Sequence, residues 1–421
     1  MLNYEKCHPE RSEGPACASA QCARSSPVTI TPVPAHFSTR TSWNLAETPY
    51  ATAVRRARTS GRRLYDLTQS NPTTCGLAYN AESLLAPLAN PASLTYDPDP
   101  RGLASARTAV ANYYAARNAP IDPGHIQLTT STSEAYSFLF RLLCNAGDSV
   151  LIPQPSYPLF DFLAQLDDVT LTPYPLFYDH GWHIDLSALE RSITSTTRAI
   201  IIVHPNNPTG HFTSASERTE LERIAEKNNL ALIVDEVFLD FSLTEQEPAS
   251  FATGNHPALT FVLSGLSKIA GLPQMKSAWL TIQGPEALRD EALARIEVIA
   301  DTFLSLNAPI QHAIPNFLST LHAIQSQIHA RTTKNILALD RLIAATPNLS
   351  RLDTAAGWSV ILRTPEHGSS VDQAIQLAEK HALVMHPGSF YGLPDAGRLV
   401  ASLLTPEADF EQGITLLAST L

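Results

Sequence analysis

Polar side chains that could do chemistry follow short apolar segments at three places in this sequence. Lys268 comes just after the segment LTFVL, Asp235 directly follows ALIV, and Asn207 lies a few residues after IIIV. A lysine amine at the end of a buried strand can act as a nucleophile, and a buried carboxylate there needs a positively charged partner. We therefore interpret these three residues as parts of one ligand site, although most lysines are surface charges.

Two more groups follow apolar segments in the same way. The hydroxyl run Ser131, Thr132 and Ser133 comes after HIQLTT, and Tyr157 comes after VLIPQPS. The hydroxyl run also opens a helical segment, where unpaired N–H groups and the positive end of the helix dipole favour an anion. The sequence therefore predicts that residues 131–133 bind a phosphate group, in addition to capping the helix.

The elements that must position these groups alternate between short apolar strands and helices. The strand segments are HIQLTT (125–130), SVLIP (149–153), RAIIIV (198–203), LALIVDEV (230–237) and LTFVLSGLSK (259–268). Strands that are apolar on both faces and separated by helices indicate an α/β fold with a mostly parallel sheet. Ligands of such sheets bind outside the carboxyl ends of the strands, which is where all five groups stand.

Composition divides the chain into three parts. Residues 1–36 are rich in Ser, Ala and Pro without periodicity, so we expect a disordered N-terminal extension, with an over-extended gene start as the alternative. Residues 76–320 carry the alternating strands and helices of a large, cofactor-binding domain. Residues 37–75 and 321–421 are expected to form a smaller α+β domain that contains one long helix.

Composition also argues against several classes of function. The 421 residues carry a formal net charge of −11, which disfavours a nucleic-acid or anionic-membrane surface. No apolar stretch approaches the roughly 20 residues that span a bilayer. Five cysteines without a CxxC pair indicate free thiols and a cytoplasmic location. HExxH is absent and HGWH (180–183) is interpreted as a turn between strands, so no metal site is expected.

The motifs that the sequence lacks limit which cofactor the site could bind. Neither GxGxxG nor GxxxxGK[ST] occurs, which removes the usual dinucleotide and P-loop fingerprints. The site needs a ligand that uses a buried lysine, a carboxylate at a strand end and a small phosphate cradle. Pyridoxal 5′-phosphate fits, because Lys268 can form a Schiff base with it while Asp235 keeps its pyridine nitrogen protonated.

Five motifs in this chain resemble those of fold-type I, class I and II aminotransferases, in the aspartate aminotransferase superfamily. They are VHPNNPTG (203–210), VDEVFLDF (234–241), SGLSK (264–268), HPGSFYG (386–392) and GRLVASLL (397–404). They stand in the family's order and spacing and cover roughly residues 60 to 410. The resemblance implies a large domain with a mostly parallel seven-stranded sheet flanked by helices, and a smaller α+β domain.

The resemblance also implies roles for the cofactor-side residues. Lys268 would hold the cofactor and move the substrate proton, Asp235 would bind the pyridine nitrogen, and Asn207 would donate to the phenolic oxygen and face the substrate. Tyr157 is similar to the aromatic residue that stacks on the pyridine ring. Tyr96 is similar to the tyrosine that reaches the phosphate of a partner subunit, which implies a homodimer.

Arg398 is similar to the residue that binds the substrate α-carboxylate, where a guanidinium and a carboxylate match as a bidentate pair. Three positions depart from the family pattern. Lys276 stands where many relatives carry an arginine near the phosphate, and Gly265 stands where many carry Ser or Thr. Phe238 stands where the family usually has a tyrosine that donates to the phenolic oxygen, so that donor is missing.

The expected activity is an aminotransferase that moves an amino group between an L-amino acid and a 2-oxo acid by a ping-pong mechanism. A lyase or synthase of the same fold, such as a C–S lyase, is the alternative. A transcription regulator with an aminotransferase-like domain is disfavoured, because residues 1–36 lack a helix-turn-helix pattern and the chain is acidic. For the substrate, no arginine can be assigned to a side-chain carboxylate, although Arg295 lies in the region. Trp43 and Phe390 favour a neutral or apolar amino acid.

Overall fold

The computed structural model describes residues 37–158, 160–245, 248–304, 306–366 and 368–421. The predicted N-terminal extension, residues 1–36, lies outside the described residues. Within the described ranges, the α-helices α1 to α13 are, in chain order, Pro49–Thr59, Ala81–Leu85, Ala104–Ala115, Thr132–Leu143, Phe160–Leu166, Leu186–Arg191, Ala215–Asn228, Leu266–Ile269, Glu286–Phe303, Ala308–Ser319, Leu321–Ala344, Ser370–His381 and Glu407–Ser419. None of them has the length and apolar character needed to cross a bilayer.

The β-strands of the same ranges are numbered β1 to β14. They are, in chain order, Tyr65–Asp66, Ile126–Thr129, Ser149–Gln154, Thr170–Tyr178, Trp182–Ile184, Thr197–Val203, Ala231–Asp235, Thr260–Gly265, Ala278–Gln283, Ser350–Arg351, Ser359–Arg363, Leu383–Val384, His386–Pro387 and Arg398–Ser402. Every strand segment predicted from an apolar run between residues 125 and 268 is present.

The large sheet has the strand order β2-β9-β8-β7-β6-β3-β4-β5. Strands β8, β7, β6, β3 and β4 pair in parallel, whereas β9 and β5 run antiparallel to their neighbours. All residues of β7 and β8 are buried, because helices cover both faces of the sheet. The α/β fold with a mostly parallel sheet is confirmed.

The sheet has eight strands rather than the expected seven. The additional strand is β5, which pairs antiparallel with the end of β4 after a tight turn at residues 179–181. His180 and Gly181 adopt positive φ angles of 50° and 145° in this turn. His180 and Gly181 of the segment HGWH therefore lie in a turn between two strands, as predicted, while Trp182 and His183 already belong to β5, which was not counted among the expected seven strands.

A smaller antiparallel sheet has the order β10-β11-β14-β13. One of its faces packs on α1, α12 and α13 around Val360, Leu362, Leu399 and Ala401. The short strand β1 pairs in parallel with β12, so the chain before residue 75 joins C-terminal elements. This pairing agrees with the predicted smaller domain, whose exact boundaries stay a prediction.

The other face of the small sheet is turned towards the large sheet. Side chains alternate along a strand, so the residues on this face are Ser359, Ile361 and Arg363 of β11 and Arg398, Val400 and Ser402 of β14. Ile361 and Val400 pack in the same apolar cluster as residues of the large sheet such as Trp279. We refer to these six residues as the inner face of the small sheet.

The loop after β6 packs tightly against the chain that leads into β11. Gly210 in this loop has a φ of 68°, and a Cβ atom there would lie 2.5 Å from the carbonyl oxygen of Ala356. A side chain would force the two segments apart, so glycine is required at this close approach. The contact brings the loop that carries Asn207 against the inner face.

Candidate functional site

The predicted amine and carboxyl groups both lie at the carboxyl edge of the large sheet, on neighbouring elements of the chain. Asp235 is the last residue of β7 and pairs with Val203 of β6 on one side and Leu263 of β8 on the other. Lys268 lies in α8, which begins directly after β8. Adjacent strands of a sheet are about 4.8 Å apart, so the ends of β6, β7 and β8 lie side by side at this edge.

Lys268 is held among aromatic rings. Its Nζ atom lies 5.6 Å from the ring centroid of Phe238 and 5.7 Å from that of Trp358. Burial disfavours the charged amine, and the positive charge of Lys276 adds to this, so the pKa of Lys268 falls to about 7. Near neutral pH a substantial fraction of this amine is uncharged and nucleophilic, unlike an ordinary lysine.

Asp235 is a buried carboxyl group that forms no ion pair with any described residue. Its side chain accepts hydrogen bonds from the hydroxyl of Tyr136 at 3.2 Å and from the backbone N–H of Val237 at 3.1 Å. Burial raises its pKa to about 6, although both hydrogen bonds act in the opposite direction. A positively charged ligand group beside it would restore the carboxylate form.

The sequence analysis missed Tyr136 as a site residue. It lies on α4 one helical turn after Thr132, is 3% exposed, and packs edge-on against Phe160 at 5.0 Å between ring centroids. Residues four apart on a helix share a face, so a tyrosine at this spacing from the hydroxyl run was a usable signal. Its hydroxyl links the start of α4 to the end of β7.

The hydroxyl run Ser131, Thr132 and Ser133 begins α4. Ser131 is the N-cap, and its Oγ accepts from the backbone N–H of Glu134 at 3.1 Å. The carboxylate of Glu134 accepts in turn from the N–H of Thr130 at 2.7 Å, so Glu134 supports the helix start as expected. The first N–H groups of a helix have no partner within it, which leaves donors for an anion at this end.

Asn207 is oriented by a residue that the sequence analysis also missed. The hydroxyl of Ser359, on the inner face, donates to Oδ1 of Asn207 at 3.1 Å. The amide NH₂ of Asn207 is therefore turned away from Ser359. This hydrogen bond joins the large sheet to the small one at the site.

Phe238 and Trp358 form an apolar wall next to Lys268. Their ring centroids lie 5.2 Å apart in an edge-to-face arrangement, and Phe238 is 9% exposed. Phe238 therefore lies beside the Lys268 amine, whereas its predicted position next to the phenolic oxygen of the cofactor stays a prediction. Trp358 lies immediately before β11, and its place against Lys268 depends on the docking of the small sheet, which no local sequence pattern shows.

The remaining predicted residues lie at the margin of this cluster. Tyr157 is half-buried and packs edge-on against Phe160 at 6.5 Å, near the N–H of Ser156 that donates to the carbonyl oxygen of Tyr391. Arg398 starts β14 on the inner face, and its Nη1 donates to the carbonyl oxygen of Gly397 at 2.8 Å. Tyr96 is 78% exposed and does not pack into the site of its own chain.

These groups fit pyridoxal 5′-phosphate by their chemistry. Lys268 supplies a partly neutral amine, and Asp235 is a buried carboxyl group in need of a cation. The positive end of α4 and the charge of Lys276 would suit a phosphate. A pyridinium nitrogen at Asp235 and an aldehyde at Lys268 would satisfy both groups at once.

Comparison with known proteins gives one family match over most of the chain. The sequence profile described as "Aminotransferase class I and II" matches residues 66–412. The glutamate-pyruvate aminotransferase AlaA of Escherichia coli (strain K12) is 29% identical over 281 residues, which cover 66% of this chain and 69% of that protein. An alanine aminotransferase of Mycobacterium tuberculosis (strain ATCC 25618 / H37Rv) is 32% identical over 232 residues, covering 55% of this chain and 54% of that one.

Solved structures share the fold. An alanine aminotransferase from Pyrococcus furiosus superimposes with a TM-score of 0.82 at 21% identity, covering 91% of this chain and 99% of that one. An aspartate aminotransferase from Thermotoga maritima gives a TM-score of 0.79 at 19% identity, with 91% and 99% coverage. Both are similar in fold to this chain over most of its length.

Removal of the Lys268 amine should stabilise the cofactor-free protein in a pH-dependent way. The pKa of Lys268 is about 7 in the folded chain and near 10.4 when unfolded, so the unfolded state binds more protons between these values. The penalty of burying the charge is full below pH 7 and disappears as pH rises towards 10.4. Lys268→Met should therefore raise the free energy of unfolding at pH 6 by about 1–3 kcal/mol.

The measurement is urea unfolding of wild type and Lys268→Met, both cofactor-free, from pH 6 to 10. Lys380→Met, which removes an exposed lysine from α12, is the matched control for loss of a lysine side chain. A stability difference between wild type and Lys268→Met that stays constant from pH 6 to 10 would show that this amine does not titrate in the folded protein as described.

Proposed function

This chain belongs to the class I and II aminotransferase family, and we propose that it exchanges amino groups between L-alanine, L-glutamate and their 2-oxo acids. The protein is a pyridoxal 5′-phosphate-dependent aminotransferase. The choice of substrates rests on relatives named glutamate-pyruvate aminotransferase and alanine aminotransferase. The site assignment rests on the buried, partly neutral amine of Lys268 and the buried carboxyl of Asp235, which follow the neighbouring strands β8 and β7.

Bound pyridoxal 5′-phosphate supplies an electron-withdrawing ring that stabilises negative charge at the substrate Cα. In this proposal the Nζ atom of Lys268 would take the proton from the substrate Cα and deliver it to C4′ of the cofactor. An amine with a pKa of about 7 suits both directions of transfer near neutral pH.

Asp235 has the task of keeping the ring nitrogen protonated. A buried carboxylate attracts a cation strongly because water does not screen the charges. Tyr136 and the N–H of Val237 hold its two oxygens in place, so the carboxylate does not need to reorganise during the reaction. Tyr136 is therefore a positioning residue in this proposal.

Asn207 would donate its amide N–H to the phenolic oxygen on the cofactor and contact the substrate. Ser359 fixes the orientation of that amide through Oδ1. Phe238 offers no hydroxyl at this position, so less stabilisation of the ionised oxygen is expected than in a site with a tyrosine. Tyr157 would cover one face of the ring.

The phosphate would bind at residues 131–133 at the start of α4, with the charge of Lys276 nearby. Lysine neutralises a phosphate as a point charge and lacks the paired donors of arginine. Arg398 would bind the α-carboxylate, because the inner face that carries it also carries Ser359, which touches Asn207.

The reaction outcome can be tested by following both products. Cofactor-saturated enzyme given L-alanine and 2-oxoglutarate should consume the oxo acid and the amino acid in equal amounts, with double-reciprocal plots that are parallel lines, as a ping-pong cycle requires. L-glutamate with pyruvate should react in the reverse direction. Release of ammonia without consumption of an oxo acid would instead establish the lyase alternative and overturn the proposal.

A homodimer is the second part of the proposal. Five large apolar side chains in two segments of the chain are exposed, namely Leu85, Leu94, Tyr96, Val298 and Leu304, with exposed fractions of 58, 92, 78, 68 and 68%. Arg101 connects the loop after Tyr96 to α9 through Glu297 at 3.5 Å. Exposed apolar side chains that lie near one another are typical of a protein interface. We propose that these segments pack against a second copy and carry Tyr96 to the partner's phosphate.

Leu94→Glu should disrupt this dimer. Light scattering with size-exclusion chromatography should give twice the chain mass of 45.7 kDa for wild type and a lower average mass for the variant. The variant should also bind pyridoxal 5′-phosphate more weakly than wild type, because Tyr96 no longer reaches the phosphate site of the partner. Leu337→Glu on α11, where the leucine is 51% exposed, is the matched control. A monomeric wild type, or a variant as dimeric as wild type, contradicts the assignment.

A cytoplasmic location belongs to the proposal as well. Among the described residues, Cys75 and Cys144 are free thiols, and Cys75 is fully buried. Burial raises the pKa of both thiols to about 12, so they are unreactive at neutral pH. This supports a reducing compartment and gives neither cysteine a part in the chemistry.

A further inference from the structure

Arg398 has a second guanidinium group directly beside it on the inner face of the small sheet. In the antiparallel pairing of β11 with β14, Arg363 is the residue opposite Arg398. Residues opposite each other in such a pair have Cβ atoms about 4.5–5.5 Å apart and point to the same side. Arg363 thus belongs to the same surface of the site as the proposed α-carboxylate ligand.

The inner face is the side of the small sheet that faces the reacting groups. Ser359 lies on the same strand and the same face as Arg363 and touches Asn207. Arg363 is also held at the carboxyl edge of the large sheet, because its guanidinium carbon lies 5.2 Å from the ring centroid of Tyr178 at the end of β4. The hydroxyl of Tyr178 donates to Asp353 at 3.1 Å, which fixes the ring under the guanidinium.

Two positive charges opposite each other in a sheet repel, and this pair lacks an acidic neighbour in direct contact. Among the described residues, neither Arg363 nor Arg398 forms an ion pair with a carboxylate. Burial lowers the pKa of the Arg398 guanidinium, and the charge of Arg363 adds to that lowering, while the carboxylate of Glu366 acts the other way. One carboxylate does not compensate two guanidinium groups, so the surface suits an anion with two carboxylates.

The solvent exposure of Arg363 and Arg398 differs in a way that fits the binding of a substrate with two carboxylates. Arg398 is half-buried at the start of β14, whereas Arg363 is exposed at the end of β11. A substrate α-carboxylate held at Arg398 would place the far end of the molecule along the neighbouring strand, towards Arg363. The planar fork of Arg363, stacked on Tyr178, is suited to bind a second carboxylate by two hydrogen bonds.

We propose that Arg363 is a specificity residue that binds the side-chain carboxylate of a dicarboxylic substrate, such as glutamate or 2-oxoglutarate. The proposal rests on the proposed aminotransferase function and on Arg398 as the α-carboxylate ligand. It changes the expectation from the sequence, where Trp43 and Phe390 favoured a neutral or apolar substrate. The indole of Trp43 instead donates to Gln165 of α5 at 2.6 Å, and Phe390 packs against Tyr50.

The test compares substrates in the half-reaction of the cofactor-loaded holoenzyme. Wild type and Arg363→Leu are mixed with L-glutamate or with L-alanine, and the loss of the pyridoxal absorbance gives kcat/KM for each. Loss of hydrogen bonds to a charged group weakens binding about ten- to a hundredfold. The ratio of kcat/KM for glutamate to that for alanine should therefore fall at least about tenfold, through KM.

Further variants separate the possible outcomes. Arg363→Lys keeps the charge but not the fork, so its ratio should lie between those of wild type and Arg363→Leu. Arg341→Leu removes an exposed arginine from α11 and should leave the ratio as in wild type. Glutarate, which has two carboxylates and no amino group, should inhibit wild type more strongly than Arg363→Leu by a similar factor.

An unchanged glutamate-to-alanine ratio in Arg363→Leu would overturn the assignment of Arg363. Equal losses for both amino acids would also overturn it, because they would make Arg363 a ligand of the α-carboxylate or a structural residue. Failure of the proposed function is a distinct result: wild-type holoenzyme would then show no change of pyridoxal absorbance with either amino acid.

Discussion

The burial of one amine and one carboxyl group at the ends of neighbouring parallel strands is the constraint on which the rest of this structure depends. Lys268 is shifted towards its neutral form and Asp235 towards its protonated form, because the site removes both from water. Without a ligand, the charged form of each buried group is unfavourable because it lacks a partner of opposite charge. A cofactor that offers an aldehyde to the amine and a cationic nitrogen to the carboxylate relieves both penalties, so the fold and the cofactor stabilise each other.

The sheet topology explains how residues far apart in sequence reach this arrangement. Parallel pairing of β6, β7 and β8 aligns Val203, Asp235 and Leu263, and the chain leaves each strand at the same edge. The small sheet then closes over that edge. Its inner face presents Ser359 to Asn207 and carries Arg363 and Arg398. In the proposed function, the large sheet supplies the reacting groups and the small sheet supplies the groups that would bind the substrate.

The polar groups that follow apolar strands could be predicted from the sequence. A buried strand is visible as a short apolar run, and the polar residue that follows it is visible in the same few positions. Lys268, Asp235 and Asn207 were found in this way. Tyr136, Ser359 and Trp358 were missed, since each acts through a contact between elements that only the packed structure brings together. Arg363 was missed because its significance lies in the cross-strand register with Arg398. The eighth strand was missed because three residues carry too little periodicity.

Covalent attachment of the cofactor to Lys268 is the central claim about this site. Cofactor-saturated protein should be reduced with borohydride, digested, and its peptides mapped by mass. We expect a pyridoxyl adduct on the peptide that contains Lys268, and none on that peptide from Lys268→Met treated identically. An adduct on another lysine, such as the nearby Lys276, or saturated wild-type protein without any adduct, would contradict it.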